Sequence, residues 1–173
     1  MNQTDHPVWS VYDLYRTSRL NVKYYSAKLH RAEIMSFWMD FILLATAPSS
    51  AIAGLWFWDN PIGKECWKYL GGVAAFIAIL KPILNFIKKI KIYEELRSGF
   101  KTLEHDLHEI KELITIQKKY DENLQKEFQK ALKRKGVLAG KEPDSKENKK
   151  LKKKLVEEVL KELPTKSFYI PTE

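Results

Sequence analysis

The run FILLATAPSSAIAGLWFW, residues 41–58, decides how this chain is read. It carries no acid, lysine or arginine across eighteen residues. A helix of that length covers roughly 27 Å, close to the ~30 Å hydrocarbon core of a bilayer. A second apolar run, YLGGVAAFIAILKPILNFI at residues 69–87, follows a short loop, and the flanks are densely charged. The expected fold is therefore an all-α membrane protein built on a two-span helical hairpin. The boundaries fall at residues 1–33 for an N-terminal amphipathic helix and 34–90 for the hairpin. Residues 91–135 read as a long coiled-coil-like cytoplasmic helix, and 136–173 as a basic linker, short helix and tail.

Orientation follows from the cations. Arg16, Arg19, Lys23, Lys28 and Arg31 precede the first span, and Lys88, Lys89, Lys91 and Arg97 follow the second. The loop at residues 59–68 holds only Lys64 and Lys68, beside Asp59 and Glu65. The positive-inside rule then places both termini in the cytoplasm of a cell with this chain in its inner membrane. Trp56, Trp58, Trp67 and Tyr69 form the outer aromatic belt and Trp38 marks the inner one. The opening residues lack a basic n-region and an immediate apolar core, so the first span is expected to be an uncleaved anchor. The competing arrangement is a soluble hairpin buried in a partner.

The net charge is +8, and residues 88–173 supply most of it, with 22 Lys+Arg against 16 Asp+Glu. Next to two spans, a lipid surface is the simplest partner for that charge. Eleven Lys+Arg and three acids fall in residues 130–154. They read either as a solvated linker or as a polybasic segment for anionic lipid; nucleic acid is not expected, because planar aromatics and a groove-binding fold are missing. Cys66 is the single cysteine, which excludes an intrachain disulfide and a cysteine metal cluster.

Residues 5–33 predict one helix, capped by Thr4 or Asp5, with Pro7 in its first turn. Val8, Tyr12, Tyr15, Val22, Tyr25 and Leu29 share a stripe that either lies on the inner leaflet or packs on the C-terminal helix; its aromatic content leans towards the leaflet. Beyond Lys88, the residues Leu96, Phe100, Leu103, Leu107, Ile110, Ile114 and Gln117 alternate spacings of four and three, a coiled-coil seam suited to self-association. A helix of roughly forty residues is expected, broken at Gly136 and after Gly140. A final helix runs from Lys149 to Leu163, where Pro164 stops it, and the last residues form an apolar tail that docks or stays loose.

The hairpin carries the candidate site residues. Ala45, Ser49 and Ala53 form a small-residue ridge in the first span, with Gly54 beside it, and Gly71, Ala75 and Ala78 form one in the second. Pro48 and Pro82 are candidate hinges. Asp40 and Lys81 are ionisable groups inside apolar stretches at comparable depth. They read as snorkelling side chains, as a structural charge pair, or as a pore lining. His105 and His108, near Glu104 and Glu112, have metal-compatible spacing but no third strong ligand, so no metal and no cofactor are expected. Phosphate loops, a Ser elbow and paired catalytic carboxylates are missing, which points away from an enzyme.

The block Tyr12-x-x-Tyr15-Arg16-x-x-Arg19, then Lys23-Tyr24-Tyr25-Ser26-Ala27, then Arg31 and two spans, resembles the SLATT family of bacterial two-span proteins with a cytoplasmic helical extension. The resemblance covers residues 8–130, and the basic segment after Gly136 lies outside it. It implies an oligomeric pore-forming effector of anti-phage defence that disrupts the inner membrane when a cytoplasmic sensor or nucleotide-signalling partner detects infection. The alternative function is a membrane-anchored coiled-coil adaptor without pore activity.

Overall fold

The computed structural model describes residues 6–46, 61–143 and 147–171, and the regular elements among them are all helical. In chain order they are α1 (Val8–Ala45), α2 (Pro61–Leu84), α3 (Phe86–Gln117), α4 (Glu122–Ala139) and α5 (Lys149–Glu162), followed by a 3-10 turn at Thr165–Ser167. The chain divides into two compact units. One joins Met1–Lys28 to Ile92–Glu173, and the other is Leu29–Lys91.

The first unit is an antiparallel helical bundle, and its core is the seam predicted for α3. Leu96, Phe100, Leu103, Leu107, Ile110 and Ile114 are buried inside this one chain. They meet the aromatic stripe of α1: Tyr25 stacks on Phe100 with ring centroids 5.8 Å apart, and Tyr15 stacks on His108 at 5.9 Å. Val8, Val11 and Tyr12 are buried with them. The stripe thus packs on the C-terminal helices and is not left for the leaflet. The seam expected to drive self-association is already covered, because α1 and α4 supply apolar area that a second copy would have supplied.

The long helix stops earlier than its periodicity suggests. Lys118 adopts a left-handed backbone, φ 55°, and α3 ends at Gln117 just before it. The Asp121 carboxylate then accepts from the Leu124 amide at 3.0 Å and caps α4. That bond holds the Asp121 carboxyl below the usual carboxylate range. The drift of the stripe to Tyr120, Leu124 and Phe128 is therefore a reversal of the chain. Gly136, expected to break the helix, lies inside α4; an interior glycine costs about 1 kcal/mol, and burial of Leu138 one half-turn later holds the helix closed around it. Where α4 returns along α3, Gly99 gives Leu138 its place. A Cβ built on Gly99 would stand 2.4 Å from Leu138 Cδ2.

At the start of α1 the His6 imidazole accepts from the Val8 amide at 3.2 Å. Thr4 and Asp5, the expected caps, lie outside the described residues. α5 begins at Lys149 as expected, with Asn148 as its cap, and ends at Glu162, one residue before the expected Leu163. The apolar tail docks. Phe168 is buried, stacks on Tyr12 at 4.4 Å and lies 4.8 Å from the Arg16 guanidinium carbon. The Arg16 guanidinium donates to the Leu163 carbonyl at 2.8 and 3.0 Å, and the Tyr12 hydroxyl donates to the Tyr169 carbonyl.

Burial pushes the Tyr12 phenol up from its ordinary 10.0 to about 12. A group raised in the folded state contributes stability that is complete below pH 10.0 and lost as pH rises through about 12. In an alkaline titration followed by tyrosinate absorbance, Tyr12→Phe is expected to lack the latest component. It is also expected to lose about 1 kcal/mol of bundle stability, the worth of one hydrogen bond. A variant that keeps the late component shows that another tyrosine gives rise to it.

Candidate functional site

Residues 29–91 hold the candidate charge pair, small-residue ridges and hinges of the sequence, and their described part shows many exposed apolar side chains. Phe37, Trp38, Phe41, Leu44, Val73, Phe76, Ile79, Ile83 and Ile87 are all exposed. Among the described residues one helix, α2, is long and apolar enough to cross a membrane. It has 24 residues, an eighteen-residue window of mean hydropathy 1.4, and only 6 % of that window is buried within the chain. A core helix of a self-contained soluble fold would be mostly buried; this one is not. The first expected span, residues 34–58, is described as far as Thr46, and α1 carries it to Ala45 without interruption. Pro48, Ser49, Ala53, Gly54, Trp56 and Trp58 lie outside the described residues, so one of the two expected spans is described in full.

The loop expected at residues 59–68 is shorter than predicted at its far end, because α2 begins at Pro61. Proline at the first helical position is pre-set for the helix and wastes no donor, a signal present in the sequence and not used in placing the loop. Cys66 is accordingly an exposed residue on the second turn of α2, and Lys68 pairs with Glu65 at 2.6 Å along the same helix.

Asp40 on α1 and Lys81 on α2 come together. The Lys81 ammonium donates to Asp40 Oδ1 as an ion pair, with Lys81 27 % and Asp40 55 % exposed. Pairing two such groups in one chain removes the cost of leaving either charge alone against an apolar surface. Lys81 is followed by Pro82, which is exposed and removes one backbone donor from α2. The backbone does not turn at Pro82. It turns three residues later at Asn85, φ 47°, where α2 gives way to α3. Asparagine tolerates this left-handed geometry better than other non-glycine residues, so the helix break falls at Asn85, three residues after the candidate hinge Pro82. A hollow of about 240 Å³ lies beside it, lined by Lys81, Pro82, Asn85, Phe86 and Ile87.

The small residues of the second span are not packed within the chain. Gly71, Ala75 and Ala78 are exposed, and a Cβ built on Gly71 meets nothing within 4 Å. Ala45, the last residue of α1, is half-buried. The ridge on α2 is thus exposed among the described residues.

The remaining sequence candidates lie in the bundle. His108 stacks on Tyr15 with Oη and Nδ1 3.5 Å apart. Among the described residues, no group of three or more His, Cys, Asp or Glu side chains is placed to hold a metal ion. Glu104 instead takes Arg19 at 2.9 Å, and Glu162 takes Arg19 at 3.2 Å and Lys23 at 2.5 Å. The Lys23 hydrogen bond, with Arg19 beside it, holds the Glu162 carboxyl below its usual range. Arg16 and Arg19 of the N-terminal block are therefore clamps for α5 and the tail. Sequence reading gave them only a topological role.

Comparison with protein-family models, with curated proteins and with solved structures gives no significant match.

Proposed function

We propose that this chain is a SLATT-like, oligomeric bacterial membrane effector. Its hairpin sits in the inner membrane with both termini in the cytoplasm, its helical bundle receives a signal from a partner, and its spans rearrange to make the membrane leak. The observation that carries the reading is α2: an apolar helix of membrane-crossing length whose surface is left uncovered by its own chain. The bilayer is the solvent that such a surface fits. The exposed ridge of Gly71, Ala75 and Ala78 suits close approach of a second copy's helix, since small residues let helix backbones meet in lipid.

The second reading is a membrane-anchored adaptor whose spans only tether the bundle. It is favoured by the Asp40–Lys81 pair, which neutralises the two intramembrane charges within one chain and leaves no unpaired charge at that position to line a pore.

Induced expression with a membrane-potential dye separates the two. The effector reading expects depolarisation soon after induction, and Gly71→Leu should weaken it by disturbing contact between copies. A Cβ built on Gly71 meets nothing within 4 Å. Full expression with an unchanged potential, in phage-challenged as well as unchallenged cells, overturns the effector reading and leaves the adaptor.

A further inference from the structure

The cradle that holds the C-terminal tail is built on one face of one helix. Trp9, Tyr12 and Arg16 follow one another at spacings of three and four, which places them on a single face of α1. Phe168 enters among them. Its ring stacks on Tyr12 at 4.4 Å and meets Trp9 edge-on at 6.4 Å, with the Arg16 guanidinium carbon 4.8 Å from its centre. Beside the ring, the same side chains take the main chain of the tail. Arg16 donates to the Leu163 carbonyl at 2.8 and 3.0 Å and to the Thr165 hydroxyl at 3.1 Å, and Tyr12 donates to the Tyr169 carbonyl. These contacts read one aromatic ring, one hydroxyl three residues before it and two backbone carbonyls. Any segment with those features meets the same donors and the same rings.

The resident segment is lightly tied. Residues 164–167 are exposed, and the 3-10 turn at Thr165–Ser167 closes on its own backbone, Ser167 on Pro164 at 3.0 Å and Phe168 on Thr165 at 3.3 Å. Phe168 and Pro171 are the buried residues of the tail. A chain end with so little buried opens at a fraction of the global free energy. α1 keeps its place without the tail, through Tyr15 and Tyr25 stacked on His108 and Phe100. We infer that this face of α1 is a recognition site for an extended segment of a second protein, one that carries Ser or Thr three residues before an aromatic residue. The tail is the resident occupant and is displaced when that partner docks. The inference rests on the reading above for the partner, since that reading has the bundle receive a signal, and it names the surface on which the signal arrives. A tethered occupant competes at an effective concentration in the millimolar range, so the site is closed to weak ligands.

The probe is a fluorescein-labelled synthetic peptide of residues 163–171, titrated by anisotropy against the full chain in detergent. Phe168→Ala in the chain empties the cradle, and that variant should bind the peptide at least ~10-fold more tightly than the wild type, whose site is open for a fraction of the time. In the peptide, Phe168→Ala should abolish saturable binding and Thr165→Val should weaken it ~5-fold, the loss of one hydrogen bond. Equal affinity for the two chains overturns the site, and so does the absence of saturable binding by a Phe168→Ala chain with wild-type helix content. Native-state hydrogen exchange on the wild type covers a variant that does not fold. The Phe168 amide should exchange at least ~10-fold faster than the Leu103 amide of α3, and exchange at a common rate overturns the displacement. The mass of the assembly in detergent separates the occupants. It should be the same for Phe168→Ala and the wild type; dissociation of the variant shows tails exchanged between copies and overturns the second protein as occupant. Anisotropy does not read leakage, so a failed titration refutes the docking alone, whereas an unchanged membrane potential refutes the effector reading and leaves the peptide result standing.

Discussion

Phe100→Ala is expected to cost the bundle about 3–5 kcal/mol, a large share of the 5–15 kcal/mol that holds a domain of this size together. Phe100 is 1 % exposed and stacks on Tyr25 across the α1–α3 contact. Its removal deletes both the buried area and the stacking partner, and leaves a cavity at the α1–α3 contact. The loss should appear as a fall in melting temperature of at least roughly 12 °C. Ile116→Ala, at a position 73 % exposed on the same helix, should change stability by less than about 0.5 kcal/mol. The pair of variants also tests where the seam is buried. If Phe100 packs within one chain, the Phe100→Ala defect is independent of protein concentration, even where contact between α2 helices of two copies raises the midpoint itself. A defect that shrinks as concentration rises would place the seam between copies and refute the bundle described here.

The second large effect is expected at Asp40 and Lys81. Lys81→Glu replaces an ion pair by two like charges in an apolar segment, where one uncompensated charge already costs on the order of 2.5–3.5 kcal/mol. The single variants Lys81→Glu and Asp40→Lys should therefore reduce the amount of protein in the membrane and disturb assembly. The joint exchange Asp40→Lys with Lys81→Asp should restore most of both, because the pair is regenerated with its ends reversed. Liposome ion flux adds a second readout. A charge that lines a pore changes cation-over-anion preference when reversed, whereas a pair that only holds α1 to α2 changes the amount of assembled protein at constant selectivity. Near-normal expression and flux for Lys81→Glu, together with tolerance of Lys81→Gln, would show that Lys81 merely reaches a headgroup and that the pair is dispensable.

The sequence by itself determined the kinds of elements and the faces they bury. Apolar spacing of three and four marked α3, and it marked α5 almost to the residue. Eighteen uncharged residues followed by a second apolar run predicted a two-span hairpin; α2 keeps that character in the structure, and residues 47–60 of the first run lie outside the described residues. Asp40 and Lys81 stood out because a charge in an apolar run is rare enough to need a partner. Periodicity names a face but not what covers it, since apolar burial has no directional preference. Only the tertiary structure decided that the seam of α3 is covered by α1 and α4 of the same chain. Only it decided that Arg16, Arg19 and Lys23 hold the C-terminal helix and tail. The chain reversal at Lys118 and Asp121, the start of α2 at Pro61 and the turn at Asn85 rest on one or two residues each. Their signals, an N-cap aspartate, a proline at the first helical position and an asparagine able to turn left-handed, are too short to outweigh a long helical pattern until packing selects them. Gly99 left no such signal, because its role is the room it leaves for Leu138, a side chain thirty-nine positions further along the chain.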